Sequence, residues 1–261
     1  WIMPVMNPDG MEAGSRFNAA GVDLNRDFPD PAHELTAGAE GRQPETVAVM
    51  NWAQAHTPAL AANFHSGTLV VNYPWDSDMD GDNATEYEAA PDDALFRFIA
   101  GVYASNNPLM MSGPFPEGIT NGSNWYPIRG GMQDWLYYYH ACLAVTVELS
   151  LDMQPDSSTF DDHWEANRSA LLAYLELTRS GIHGIVADAQ TGEPLEAEIR
   201  VDGLDAGIYS DPDFGDYHRL LLPGEYVVHF AAEGYQPATC SVVVDADAPS
   251  VLDVELEPLN S

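Results

Sequence analysis

Cys142-Leu-Ala-Val-Thr146-Val-Glu148 is an unbroken apolar, β-branched run that ends on a carboxylate. A strand of this kind has no face for solvent. It needs neighbours on both edges and layers above and below, which points to an inner strand of an α/β sheet. Glu148 is then carried on a rigid element. An unpaired buried charge is costly, so this carboxylate either forms a structural ion pair or has chemistry to do. Upstream, Tyr126-Pro-Ile-Arg-Gly130-Gly131 reads as a loop. Its glycine pair permits unusual backbone angles and leaves Tyr126 on a segment able to move.

The rest of the first 180 residues alternates in period. Trp1 to Met6 is strand-like, and Met6-Asn7-Pro8-Asp9-Gly10 has the composition of a turn. Pro44-Glu45-Thr46 opens a helix to about Ala55, with proline and an acid where the free N–H groups favour them. Ala59 to Phe64 reads as a buried strand delivering His65, and Thr68 to Tyr73 as a second strand stopped by Pro74. A helix follows Pro91-Asp92-Asp93, with Leu95, Phe98, Ile99, Val102 and Tyr103 at helical spacing. The last helix spans about Thr159 to Arg179, with Trp164, Leu171 and Leu175 on one face. Strands alternating with helices predict an α/β domain over residues 1–180.

From Gly184 the period becomes two. Short strands at Gly184–Ala187, Ala197–Val201, Tyr217–Leu222, Tyr226–Phe230, Ser241–Val244 and Val251–Leu256 are separated by turn signals such as Pro223-Gly224. They predict a small β-sandwich over residues 181–261. No catalytic constellation is apparent in it.

The chain has 261 residues and a formal net charge of -32, from 41 acids against nine arginines, with no lysine. Such a field repels polyanions, so nucleic acid is not an expected partner, whereas cations and basic peptides are attracted. A solvated acidic surface without a specific partner is the plainer reading of most of these charges. No apolar run reaches 18 residues, so neither a membrane span nor a signal peptide is expected. A chain opening on Trp1 in mid-element reads as a fragment or a processed product. Cys142 and Cys240 fall in different domains and read as free thiols.

Three stretches carry candidate chemistry. Arg16 and the pair Asn25-Arg26 lie in a glycine-containing polar loop, and an Asn-Arg pair suits a carboxylate, because the guanidinium fork takes both oxygens and the amide adds a donor. His65, ending a strand beside Gly67, is either a packed histidine or a metal ligand. Asp76-Ser-Asp78-Met-Asp80-Gly81 matches the first half of a calcium loop, but the twelfth position is Tyr87, and an acidic surface loop is the competing reading.

Taken together, Met6-Asn-Pro-Asp-Gly10, Gly21-Val-Asp-Leu-Asn25-Arg26-Asp-Phe-Pro29, Pro44-Glu-Thr46, His65 with Leu69-Val-Val-Asn72-Tyr-Pro74, Gly118-Ile-Thr-Asn-Gly122 with Trp125-Tyr126, Gly130-Gly-Met-Gln-Asp134 and Thr146-Val-Glu148 resemble the zinc metallocarboxypeptidases, specifically the carboxypeptidase E, N, M and D branch. Gly181-Ile-His-Gly184-Ile-Val, Tyr217-His-Arg-Leu220-Leu-Leu-Pro-Gly224 and Gly234-Tyr235 resemble that branch's transthyretin-like domain. The resemblance implies a mixed-sheet carboxypeptidase domain with helices on both faces, followed by the sandwich, in a secreted or periplasmic enzyme.

It also implies roles. His65 matches the third zinc ligand, a neutral imidazole in a three-ligand site with a position left for water. Glu148 matches the catalytic carboxylate that moves a proton from that water to the leaving amine, and Arg16 the oxyanion-stabilising arginine. Asn25, Arg26 and Tyr126 match the group that holds the substrate's free carboxylate. Asp76, with Gln133 beside it, matches the acid that receives a C-terminal Arg or Lys; a carboxylate in a partly closed pocket selects a cation because an apolar side chain would leave it unpaired.

Departures accompany the matches. The family's other two zinc ligands are a histidine and a glutamate three residues apart, and no His-x-x-Glu occurs in this sequence. Asp152-Met-Gln-Pro stands where a lysine is common. The sequence therefore supports a zinc carboxypeptidase cutting basic C-termini, an inactive relative that binds peptide C-termini, or a carboxypeptidase acting on peptidoglycan stem peptides. Asp76, if it serves the specificity pocket, is less available to calcium.

Overall fold

Strand β4 (Leu143–Ser150) is an inner strand, as its composition predicts: Leu143 through Glu148 are buried without interruption. It pairs in parallel with β1 (Leu60–His65) and antiparallel with β2 (Thr68–Tyr73), and β2 pairs in parallel with β3 (Ile119–Asn121). The resulting mixed sheet has the order β1-β4-β2-β3. This computed structural model describes residues 1–34, 36, 38–204, 207–245 and 248–259. They form two compact units, residues 1–174 and 175–261.

In the first unit, α1 (Pro8–Ala13) and α2 (Pro44–His56) precede the sheet, and α3 (Asp93–Ser105), α4 (Pro108–Met111), α5 (Gly122–Trp125), α6 (Met132–His140) and α7 (Phe160–Glu176) follow in chain order. Val49, Met50 and Ala53 of α2 and Trp135 and Leu136 of α6 form one buried cluster with Phe28, Cys142 and Ala144. Helix α3 packs on β2 and β4. Its buried face consists of Leu95, Phe96, Ile99, Ala100, Tyr103 and Ala104. The expected Phe98 is 43% exposed, because Phe96 takes the inward position against the Tyr137 ring, 4.7 Å away. In α7 the buried residues are Asn167, Ala170 and Tyr174, while Trp164 and Leu175 lie outside. Asn167 Oδ1 accepts from Tyr103 Oη and Asn107 Nδ2, and Tyr174 Oη donates to Ala61 O, each at 2.8 Å. Satisfied polar groups set that face rather than the apolar stripe.

Two further expectations are corrected. Trp1 to Met6 is not a strand; it has no ladder partner among the described residues, and a strand without a partner leaves its backbone groups unpaired. The Asn7-Pro8-Asp9-Gly10 stretch is not a free turn but the start of α1: Asn7 Oδ1 caps it by accepting from Gly10 N at 3.0 Å, with Pro8 at the first helical position.

The second unit has two sheets around one core. One has the order β10 (Ala238–Val244), β9 (Gly224–Ala231), β6 (Glu198–Val201), β7 (Ile208–Tyr209). In the other, β11 (Ser250–Val251), β8 (Asp216–Arg219) and β12 (Val254–Leu256) all pair with β5 (Ile182–Asp188). Ile182, Val186, Ile199, Val228, Phe230 and Leu256 fill the space between them. The expected strand over Val251–Leu256 is divided in two, because at the break Asp253 Oδ1 takes the amide of Ile185 at 2.9 Å in place of a backbone carbonyl.

Candidate active site

His65 and Glu148 sit opposite one another as the last pair of the ladder between β1 and β4. Burial, with Arg16 and Arg26 adding to it against Asp23, lowers the His65 pKa to about 4, so the ring is neutral near pH 7. Burial pushes the Glu148 carboxyl up to about 7, with Arg16 opposing. Glu148 Oε2 has no hydrogen-bond partner among the described residues. The structural ion pair considered for Glu148 is thus absent among the described residues, and a half-protonated carboxyl near neutrality is the property a proton carrier needs.

Arg16 and the Asn25-Arg26 pair are organised by Asp23, which the motif reading passed over. Asp23 Oδ2 accepts from Arg16 Nε at 2.7 Å, and its Oδ1 accepts from Asn25 N at 3.1 Å, capping the short 3₁₀ turn Leu24–Arg26. Asn25 Oδ1 in turn accepts from Met132 N at 2.9 Å. Arg26 and Tyr126 line one cleft of about 370 Å³ together with Asp78, Asn83, Pro127, Ile128 and Arg129. Tyr126 is 44% exposed. Beyond it the chain is anchored: Phe28 N donates to Gly130 O at 3.2 Å, and Gly130, at φ 70°, lies so close to the 26–28 backbone that a Cβ would stand 2.7 Å from Arg26 O. Glycine is required there by sign of φ and by space together.

Asp76 does not line that cleft. It is 2% exposed, and its Oδ1 accepts from Asn72 Nδ2 at 2.7 Å. Burial and the neighbouring Asp134 hold its carboxyl well above the usual range, while Asn72 and Arg26 oppose this. Gln133 is fully buried; its Oε1 accepts from the Thr146 hydroxyl at 2.7 Å, and its Nε2 has no partner among the described residues. Asn63 Nδ2 donates to the same hydroxyl at 3.0 Å. Asn63, Thr146 and Asn72 are register neighbours across β1, β4 and β2, a polar row that no periodicity argument finds because it crosses strands.

Of Asp76, Asp78 and Asp80, weighed as a calcium loop against an acidic surface loop, Asp76 does not join the other two. The carboxylates that approach one another are Asp78, Asp80 and Asp82, and separately Asp80, Glu86 and Glu88. Asp76 points into the interior instead. Burial works against the Asp78 charge, but N–H groups of Asn83 and Gly81 outweigh it and hold the carboxyl below its ordinary value. For zinc, a neutral His65 is a suitable nitrogen donor. Neither of the clusters close enough to hold a cation contains it among the described residues, so these side chains supply one donor and do not by themselves make a zinc site.

The family described as zinc carboxypeptidase matches residues 1–170, and the carboxypeptidase regulatory-like domain matches residues 181–257. Carboxypeptidase SOL1 of Arabidopsis thaliana is 41% identical over 250 residues, covering 95% of this chain and 50% of that protein. Carboxypeptidase D of Drosophila melanogaster is 38% identical over 284 residues, covering all of this chain and 20% of that protein. The carboxypeptidase N catalytic chain of Homo sapiens is 38% identical over 293 residues, covering 98% and 64%. The chain thus spans about half the length of the Arabidopsis relative and a fifth of the Drosophila one. Among solved structures, carboxypeptidase A from Helicoverpa armigera shares the fold with a TM-score of 0.51 at 18% identity, over 67% of this chain and 50% of that one. No helix among the described residues is long and apolar enough to cross a membrane. By the family match to residues 1–170, more than half of its length, and its identity to these relatives, this chain belongs to the zinc carboxypeptidases.

Proposed function

We propose that this chain carries the substrate-recognition and proton-transfer residues of a carboxypeptidase that removes C-terminal Arg or Lys from peptides. The observation that carries the reading is the pairing of Glu148 with His65 at the end of the β1–β4 ladder, within the influence of Arg16, beside a cleft lined by Arg26 and Tyr126. In this reading Arg26, Asn25 and Tyr126 hold the peptide's terminal carboxylate, so that cleavage is confined to the chain end. Arg16 donates to the carbonyl oxygen as it gains charge. Glu148 takes a proton and returns it to the leaving amine, for which a pKa of about 7 is well matched. Asp76 and Gln133 meet the terminal side chain. Zinc, held by His65 with donors these residues do not supply, would activate the attacking water.

Asp76 supports the cationic specificity. Burial disfavours the charge on Asp76, and an entering guanidinium or ammonium supplies a counter-charge; a phenylalanine side chain does not. The net charge of -32 adds long-range attraction for basic peptides.

A second reading is favoured by His65 standing as a single donor: a receptor that binds peptide C-termini without cutting them. Acetyl-glycyl-arginine, its amide and acetyl-glycyl-phenylalanine distinguish the possibilities. Both readings expect the free acid to bind at least about tenfold tighter than the amide. Hydrolysis of the arginine peptide by this chain supplied with the remaining zinc donors and zinc selects the enzyme, and binding without hydrolysis under the same conditions the receptor. Equal binding of acid and amide contradicts both, and equal binding of the Arg and Phe acids removes the basic specificity.

A further inference from the structure

We propose that Asp134 is a positioning residue for Asp76, holding the specificity carboxylate in place through its backbone rather than touching the ligand. The proposal rests on the reading of Asp76 as the receptor for a cationic side chain.

Asp76 follows β2 and belongs to no strand or helix, so no ladder fixes it. A selective carboxylate on such a segment needs another anchor, because a loosely held charge follows any ligand. The anchor is the first turn of α6. Asp76 N donates to both oxygens of Asp134 at 3.0 Å, and Ser77 N donates to Asp134 Oδ2 at 2.8 Å. From the other side, Asp76 O accepts from Ile128 N at 2.9 Å. Ser77 Oγ is tied to Asp30 Oδ1 at 3.1 Å. Asp134 is fully buried and makes no ion pair among the described residues; backbone amides and the helix N-terminal dipole are its compensation.

The same turn carries Gln133, whose amide is oriented by Thr146. Consecutive residues of α6 thus set the two groups of the specificity pocket, Gln133 by its own side chain and Asp76 through Asp134. Glycines leave room for the arrangement: a Cβ on Gly122 would collide with Asp76 Oδ1, and one on Gly131 would stand 3.3 Å from Oδ2. Burying two carboxyl groups side by side is unfavourable, and burial raises the pKa of Asp134 to about 6 despite its amide bonds. A purely structural cap would not require a second buried acid beside it.

The test is binding of acetyl-glycyl-arginine and acetyl-glycyl-phenylalanine to the chain and to its Asp134→Ala, Asp134→Asn, Asp134→Glu and Asp76→Asn variants. Asp134→Ala is expected to weaken the arginine peptide at least about tenfold and the phenylalanine peptide by less than about twofold. Asp134→Asn keeps an oxygen acceptor for both amides and should retain arginine binding to within about threefold. Asp134→Glu keeps the charge but displaces the acceptor by a methylene, so it should lose arginine selectivity; it carries the test if the alanine variant does not fold. Equal losses for both peptides in the Ala and Glu variants would reduce Asp134 to a structural cap and overturn the proposal. If Asp76→Asn abolishes selectivity and the Ala and Glu variants do not, this proposal alone falls. If Asp76→Asn leaves the Arg-to-Phe ratio unchanged, the reading of Asp76 falls and takes the proposal with it.

Discussion

Asp23 bonds Arg16 through one carboxylate oxygen and the backbone of Asn25 through the other. One small side chain thereby sets the distance between an exposed guanidinium and the 24–26 turn that presents Asn25 and Arg26. Asp23→Ala should release both, weakening binding of a peptide with a free C-terminus about tenfold while leaving its amide unaffected. Asp23→Asn, which still accepts from Asn25 N, should fall between. Titration of intrinsic tryptophan fluorescence with the two peptides checks this; an unchanged free-acid affinity in Asp23→Ala would show that the turn holds itself.

Gly130 is pressed against the same turn from the other side. Gly130→Ala must accommodate a Cβ 2.7 Å from Arg26 O and 2.8 Å from Phe28 O at φ 70°. It should destabilise the first unit by roughly 2–3 kcal/mol, against about 1 kcal/mol for Gly21→Ala, where φ is also positive but the space is open. Urea unfolding of the two variants makes the comparison. Equal losses would mean that the backbone angle alone matters and that the contact with Arg26 relaxes.

The two thiols should separate chemically. Cys142 is fully buried in the α2–α6 cluster, and burial raises its pKa, whereas Cys240 on β10 is partly exposed. Thiolate is the reactive form, so Ellman's reagent should titrate Cys240 in the native protein and Cys142 only after unfolding. Rapid native labelling of both would argue that the core around Cys142 opens readily.

What could be read from the sequence depended on whether a residue acts through its own spacing. The β4 run, the period change after the last helix and the Asn25-Arg26 pair are local patterns, and each has a local structural counterpart, β4, β5 and the 24–26 turn. Asp23, Asp134 and the Asn63–Thr146–Gln133 chain work by bonds to backbone or across strands, and no period in the chain marks them. Helical spacing put Leu95, Ile99 and Tyr103 inside α3 but chose Phe98 where Phe96 is buried, since both flank the same stripe; the Tyr137 ring, from another helix, decides it. The acidic loop shows a related effect. Alternating spacing treats Asp76, Asp78 and Asp80 alike, yet the end of β2 turns the first into the interior and leaves the others to Asp82.

Glu148 should make the metal-free chain less stable as pH rises. Its native pKa of about 7 lies above the ordinary value of 4.5, so between these pH values the unfolded chain has released a proton that the native state still holds. Below about pH 4.5 both states are protonated and the group contributes no difference; above about pH 7 the native state bears a buried charge at full cost. Glu148→Gln removes that cost. The variant should match the parent at pH 4 and exceed it by about 3 kcal/mol at pH 8, following the difference between the two pKa values. Differences between variant and parent cancel the titration of the other acids, so urea unfolding at pH 4, 6 and 8 isolates the group. A difference that stays constant across this range would show that Glu148 titrates normally, and a general base tuned to neutrality would then have to be sought elsewhere.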